Sequence, residues 1–157
     1  MPRITPNLWF DNAAEEAAHF YLSVFKDSRI ISVVRYTEAG PGPAGSVMTI
    51  EFELDGQRFM GINGGPYFAF SEAVSFQIDC EDQAEVDYFW ERLTEGGEEA
   101  QCGWLKDRYG LSWQVVPKGM DEIFESSDKD RARRAMEAVF TMKKLDVAAV
   151  RAAADGV

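Results

Sequence analysis

The stretch "CGWLKDRYGLSWQVVP", Cys102 to Pro117, reads as a β-hairpin: Trp104 and Leu105, a charged Lys106-Asp107-Arg108, a Tyr109-Gly110 turn, then a strand from Ser112 to Val116. In many small metalloenzymes a strand of this shape carries a metal-binding glutamate; here it carries Gln114. The single histidine, His19, lies inside "AEEAAHFYL" and reads as a helix-surface residue rather than a general base. Cys80 and Cys102 form no CxxC pair, so neither a zinc site nor a disulfide framework is expected. A reactive thiol needs a base or a helix N-terminus to lower its pKa. Cys80, just before the Glu81-Asp82 helix start, is the better placed of the two, although a buried free cysteine is the expected state. Asp107 and Arg108 are expected as an exposed ion pair beside the turn. Gly64-Gly65 is followed by no GK[ST] or GxGxxG context and does not read as a phosphate loop.

The elements that must hold these residues repeat. Ile4 to Phe10 is a short strand, with Asn12 as a cap for the next element. Ala13 to Phe25 is a helix, with Ala14, Ala17, Ala18, Tyr21 and Phe25 near one face and Glu15 and Glu16 in the first turn, where the helix dipole favours acid. Strands follow at Arg29 to Thr37, Val47 to Leu54 and, after the Asp55-Gly56 turn, Arg58 to Asn63. "EAGPGPAG", residues 38–45, reads as a flexible loop. After Gly64-Gly65-Pro66 the order begins again: a strand at Val74 to Cys80, a helix at Asp82 to Thr94 stopped by Gly96-Gly97, then short strands ending at Val116. Beyond Pro117 the chain turns helical, over Met120 to Glu125, Asp128 to about Leu145, and Asp146 to Ala154. Ala132, Met136, Val139, Phe140 and Lys143 form an amphipathic stripe on the middle helix, suited to a core or a subunit interface.

The 157 residues fit one structural domain, and 46% hydrophobic against 27% charged residues is a globular balance. A net charge of −11 repels nucleic acid. It divides unevenly, −13 over residues 1–127 and +2 over 128–157. No apolar run crosses a bilayer and the amino terminus has no signal core, so the expected location is cytoplasmic, with no membrane partner.

The doubled strand–helix–strands unit, with "FDNAAEEAAHFYLSVF", "GINGGPYFAFSEAVSFQIDCEDQAEVDYFWERL", "CGWLKDRYGLSWQVVP" and "RRAMEAVFTMKKLDVAAV", resembles the vicinal oxygen chelate superfamily. Glyoxalase I, fosfomycin-resistance proteins, extradiol dioxygenases and bleomycin-resistance proteins share that fold. The resemblance is closer to its PhnB-like branch, often labelled 3-demethylubiquinone-9 3-methyltransferase. It implies an α+β fold of two βαβββ modules, residues 1–66 and 67–118, forming a glyoxalase-like paired cup, with a helical extension at 119–157 and usually a homodimer.

Enzymes of that superfamily hold a divalent metal in the cup through His, Glu or Gln on the first and last strands of the modules. Carried over residue by residue, the first-strand position falls at Pro6 or Asn7, with Asn7 and Trp9 facing the cup. In the second module it falls at Val74 or Ser75, with Ser75, Gln77 and Asp79 as the polar face. Asn63 is the polar candidate on the last strand of the first module, and Gln114 stands at the usual glutamate position. Asn7, Asn63, Ser75 and Gln114 supply neutral oxygens and no imidazole, so no metal and no other cofactor is expected. Trp9 is a candidate cavity wall, while Trp113, opposite in the alternation to Gln114, packs on a helix. The expected function is metal-independent binding of a small molecule through Asn7, Trp9, Asn63, Ser75, Gln77, Trp104 and Gln114. The alternatives are a divergent glyoxalase- or dioxygenase-like enzyme, the methyltransferase of the family label, or a structural dimer with a vestigial cavity. No Gly-rich first βα turn supports methyl transfer.

Overall fold

The computed structural model describes all residues 1–157 and divides into two compact units, Met1–Phe70 and Ser71–Val157. The first unit runs β1 (Asn7–Phe10), α1 (Ala14–Val24), β2 (Ser28–Arg35), β3 (Val47–Leu54) and β4 (Gln57–Asn63), with sheet order β1-β4-β3-β2. Only the β1–β4 pair is parallel, and α1 is part of the long connection that such a pair requires. Alternation is clearest from Ile50 to Leu54 on β3, whereas β2 buries no residue and shifts register twice against β3. Leu8, Phe10, Ile50, Phe52, Leu54 and Phe59 are buried, as are Ala14, Ala17, Ala18, Tyr21 and Val24 of α1. Phe52 stacks between Tyr21 and Phe59, at 6.2 and 5.6 Å between ring centroids. Burying a ring of this size stabilises the fold by roughly 1.5–3 kcal/mol.

Several local expectations meet physical corrections here. Phe25 leaves the helix in extended conformation, and Val24 takes the buried position instead. Asn12 is exposed and does not cap α1; the first helical N–H, that of Ala14, is capped by Asn63 Oδ1 from the end of β4, at 2.9 Å. Residues 38–45 form a loop outside every helix and strand, held at its base by backbone hydrogen bonds. Tyr36 N–H donates to Ser46 O and Gly45 N–H to Tyr36 O, closing the segment over the buried Tyr36 ring. Asp55 and Gly56 both take positive φ, 47° and 84°, the geometry of the two-residue hairpin loop joining Leu54 to Gln57.

The second unit repeats the order with β5 (Ser75–Cys80), α2 (Gln83–Thr94), β6 (Glu98–Glu99), β7 (Trp104–Lys106) and β8 (Ser112–Pro117), in sheet order β5-β8-β7-β6. Asp82 caps α2 by accepting from Glu85 N–H at 3.0 Å, and Val86, Trp90 and Leu93 form its buried face. Leu105, Trp113 and Val115 are buried on the α2 side of the sheet. Three helices follow: α3 (Met120–Phe124), α4 (Lys129–Phe140) and α5 (Val147–Asp155).

Met120, Ile123, Ala135, Val139, Leu145, Val150 and Ala154 make a core of their own, against which Cys102 and Val116 pack. Gln83 ties the start of α2 to the start of α5, donating to Leu145 O at 3.0 Å and accepting from Val147 N–H at 2.8 Å. The middle helix ends at Phe140, short of the expected Leu145. The chain unwinds there because the carbonyls of Met142 and Lys143 accept the N–H groups of Cys102 and Gly103, both at 2.8 Å. Lys143 therefore leaves the expected stripe, and Phe140 stands 68% exposed.

Candidate functional site

In the second unit, residues of one parity face away from α2: Ser75, Gln77 and Asp79 on β5, Ser112 and Gln114 on β8, Trp104 and Lys106 on β7. The register aligns them in rows. Gln114 lies between Gln77 and Trp104, and Ser112 between Ser75 and Lys106. Four residues expected at a ligand face, Ser75, Gln77, Trp104 and Gln114, thus fall on one sheet surface. Gln114 Nε2 donates to Ser75 Oγ at 2.9 Å, and its Oε1 accepts nothing within the chain. Gln77 Nε2 donates to Asp79 Oδ1 at 2.7 Å.

The four tryptophans separate by use. Trp9, Trp90 and Trp113 each donate an indole N–H, to Gly65 O at 2.9 Å, Glu99 Oε1 at 2.8 Å and Asp107 Oδ2 at 2.9 Å. The Trp104 indole N–H has no partner in the chain, and its ring is partly exposed. Ser112, which sequence reasoning missed, is 1% exposed and its hydroxyl is the only buried side-chain polar atom without a hydrogen bond. Its parity with Gln114, two residues on, was the available signal.

The residues of the first unit do not converge in the same way. Asn7 is exposed and donates to Thr5 O at 2.9 Å. Trp9 seats on the Gly64-Gly65 turn and meets Phe68 edge-on at 4.9 Å. A Cβ at Gly64 would collide with the Trp9 ring, which accounts for that glycine without any phosphate. Asn63 corrects the expected cup lining. In the parallel register it stands opposite Phe10, on the helix side of the sheet, where Oδ1 caps α1 and Nδ2 donates to Val47 O at 3.1 Å. Facing away from α1 there is instead a charged ladder: Arg29 pairs with Glu53 at 3.3 Å, and Arg58 with Glu51 at 3.1 Å and Glu53 at 3.9 Å.

Asp107 is not an exposed partner of Arg108. It is 2% exposed and accepts from Tyr109 N–H at 2.8 Å, Leu111 N–H at 3.1 Å and the Trp113 indole, which fixes the hairpin that presents Trp104 and Gln114. Arg108 reaches Glu95 at 3.9 Å. His19 is exposed on α1. Cys80 is fully buried; burial, then Glu85, Asp79 and Asp82, pushes its thiol up to about 12, far from the range of a nucleophile.

The residues at the metal positions do not fit a divalent ion. Asn63 points into the helix side, Asn7 is bonded locally, and Ser75 and Gln114 are neutral groups bonded to each other. No three His, Cys, Asp or Glu side chains cluster to hold a metal. Neutral amides and hydroxyls do not offset the dehydration of a dication.

Two successive βαβββ units with one helix on each mixed sheet define the vicinal oxygen chelate class of protein. The match to known structures agrees. The Bacillus cereus PhnB protein, which carries the 3-demethylubiquinone-9 3-methyltransferase name, is 38% identical with a TM-score of 0.68, over 74% of this chain and 99% of that one. The chain belongs to the 3-demethylubiquinone-9 3-methyltransferase family, in its PhnB-like branch, the family model matching residues 2–116. A Pseudomonas aeruginosa protein at 20% identity (TM-score 0.63, 74% of this chain and 98% of that one) shares the fold. So does the fosfomycin resistance protein FosX of Listeria monocytogenes at 15% (TM-score 0.55, 77% and 94%). No curated protein matches the chain. No helix is long and apolar enough to cross a membrane.

Proposed function

We propose that this protein is a cytoplasmic, metal-independent small-molecule binder whose ligand lies on the face of the second sheet away from α2. The observation that carries it is the row Gln77–Gln114–Trp104, in which Gln114 Oε1 and the Trp104 indole N–H have no partner within the chain. Other side chains of this fold spend their amides and indoles internally, as Asn63, Trp90 and Trp113 do. Polar groups left unused beside an aromatic ring suit ligand recognition, since a bound molecule can supply the missing hydrogen bonds. The donor set favours an uncharged chemistry over Lewis-acid catalysis.

Self-association through α4 belongs to the same proposal, because Met136 and Phe140 stand exposed on it. Thermal melting of the purified chain with Zn²⁺, Mn²⁺ and Ni²⁺ tests the metal-free reading, with no stabilisation expected; an ion coordinated by Gln114 in a crystal refutes it. S-adenosylmethionine is one further addition. A melting shift with it would favour the methyl transfer that the family is named for.

A further inference from the structure

Ser112 asks for an explanation that the proposal above does not supply. A buried hydroxyl with no partner costs stability, and such groups in native chains accompany a bound water or ligand, or a functional use. Its register neighbours are Ser75 and Lys106, and Gln114 lies two residues along on the same face. Around it, the one cation already has carboxylate partners. Lys106 pairs with Glu72 and sits across from Glu98; Asp79 takes the Gln77 amide. No unpaired cation on this face waits for an anion, and the net charge of −11 opposes one. A cation at Ser112 and Gln114 would surrender its hydration to neutral oxygens, since Asp79 stands opposite Val116, two positions along β8 from Gln114. The unmatched groups next to Ser112 are neutral: its own hydroxyl, the Gln114 Oε1 and the Trp104 indole N–H.

Given that this face binds a small molecule, as proposed above, the geometry points to Ser112 as its specificity-determining residue and to an uncharged, planar ligand with an amide-type edge. The carbonyl of the edge accepts from the Trp104 indole N–H, which points outward in the plane of its ring, so the flat ligand lies edge-on to Trp104 while its N–H groups donate to Gln114 Oε1 and Ser112 Oγ. The Lys106–Glu72 pair beside Ser112 is solvent-facing, with side chains 34% and 60% exposed. An ion pair so exposed is weakly held and can swing clear to admit the ligand.

The test is an isotope-labelled full-length chain titrated with benzamide, benzoate, benzamidinium and ethylbenzene, which share a ring and differ in the edge. The Gln114 side-chain amide and the Trp104 indole resonances report binding by NMR. Benzamide is expected to bind at least tenfold more tightly than either charged analogue. Ser112→Ala is expected to weaken benzamide roughly fivefold or more while leaving the melting temperature unchanged or higher, since it removes an unpaired polar group. In Glu72→Gln, which frees Lys106, benzamide stays preferred. Preference for benzoate in the native chain or in Glu72→Gln makes Lys106 the anchor and overturns the inference. So does undiminished benzamide binding by Ser112→Ala, or a lowered melting temperature. Equal responses to all four compounds at Gln114 and Trp104 remove the ligand class but leave the binding face standing. No response to any of them at millimolar concentration removes both.

Discussion

Replacing Asp107 by asparagine tests how the hairpin is held. The carboxylate is 2% exposed and receives three N–H groups, from Tyr109, Leu111 and the Trp113 indole. An asparagine can keep Oδ1 toward the two backbone donors, which leaves its NH₂ facing the Trp113 N–H, donor against donor. The change loses one hydrogen bond to a charged acceptor and strands a buried indole, for about 3 kcal/mol in all. In a chain of this length each kcal/mol moves the midpoint by about 2–4 °C, so the melting temperature falls by roughly 6–12 °C. Urea unfolding followed by tryptophan fluorescence gives the free energy directly. Benzamide affinity should fall with it, because the same hairpin presents Trp104 and Gln114, and that loss recovers as temperature is lowered and the hairpin tightens. A native-like midpoint in Asp107→Asn would refute the assignment of this carboxylate as the hairpin's organiser.

Asn63→Ala is expected to destabilise by roughly 2 kcal/mol in urea unfolding, since it removes both the α1 cap and the bond to Val47. Asn63→Asp keeps the acceptor for Ala14 N–H and recovers about half; equal losses in the two variants would sink the capping role. With its thiol pushed up to about 12 by burial, Cys80 keeps its proton in the fold, whereas an unfolded cysteine ionises near pH 8.5. Stability attributable to it is therefore complete below that pH and lost as pH rises toward 12, by at most about 2 kcal/mol between pH 8 and 10. Cys80→Ala should lack this alkaline decline, and the native thiol should resist disulfide reagents until the chain unfolds. Light scattering at micromolar concentration should find a dimer for the native chain and a monomer for Phe140→Asp; a monomeric native chain excludes α4 as an interface.

Local chemistry made much of the fold legible. The helix start near Asp82, the Asp55-Gly56 hairpin and the alternation that turns Trp113 inward and Gln114 outward are all properties of short segments. What stayed hidden depends on registers between distant segments. Asn63 looks like a cup residue only until the parallel pairing with β1 sets it beside Phe10 and the start of α1. The end of α4 could not be read from its own stripe, because the N–H groups that claim Met142 O and Lys143 O belong to the Cys102–Gly103 turn. Asp107 carries the composition of a surface turn, and only folding brings the Trp113 indole to it. Ser112 was overlooked because a small hydroxyl at a strand start reads as turn chemistry, although its spacing from Gln114 places it on the same face.

The family match stops at residue 116, yet Val116 and Cys102 pack into a core whose other members begin at Met120. A shortened version trimmed to homology would therefore cut through packed side chains rather than between domains. It would bare Val116 and Cys102 and abandon two main-chain donors that now reach Met142 and Lys143. Insolubility of such a fragment would say nothing about the binding face, and work on this chain should keep its last forty residues, roughly, in place.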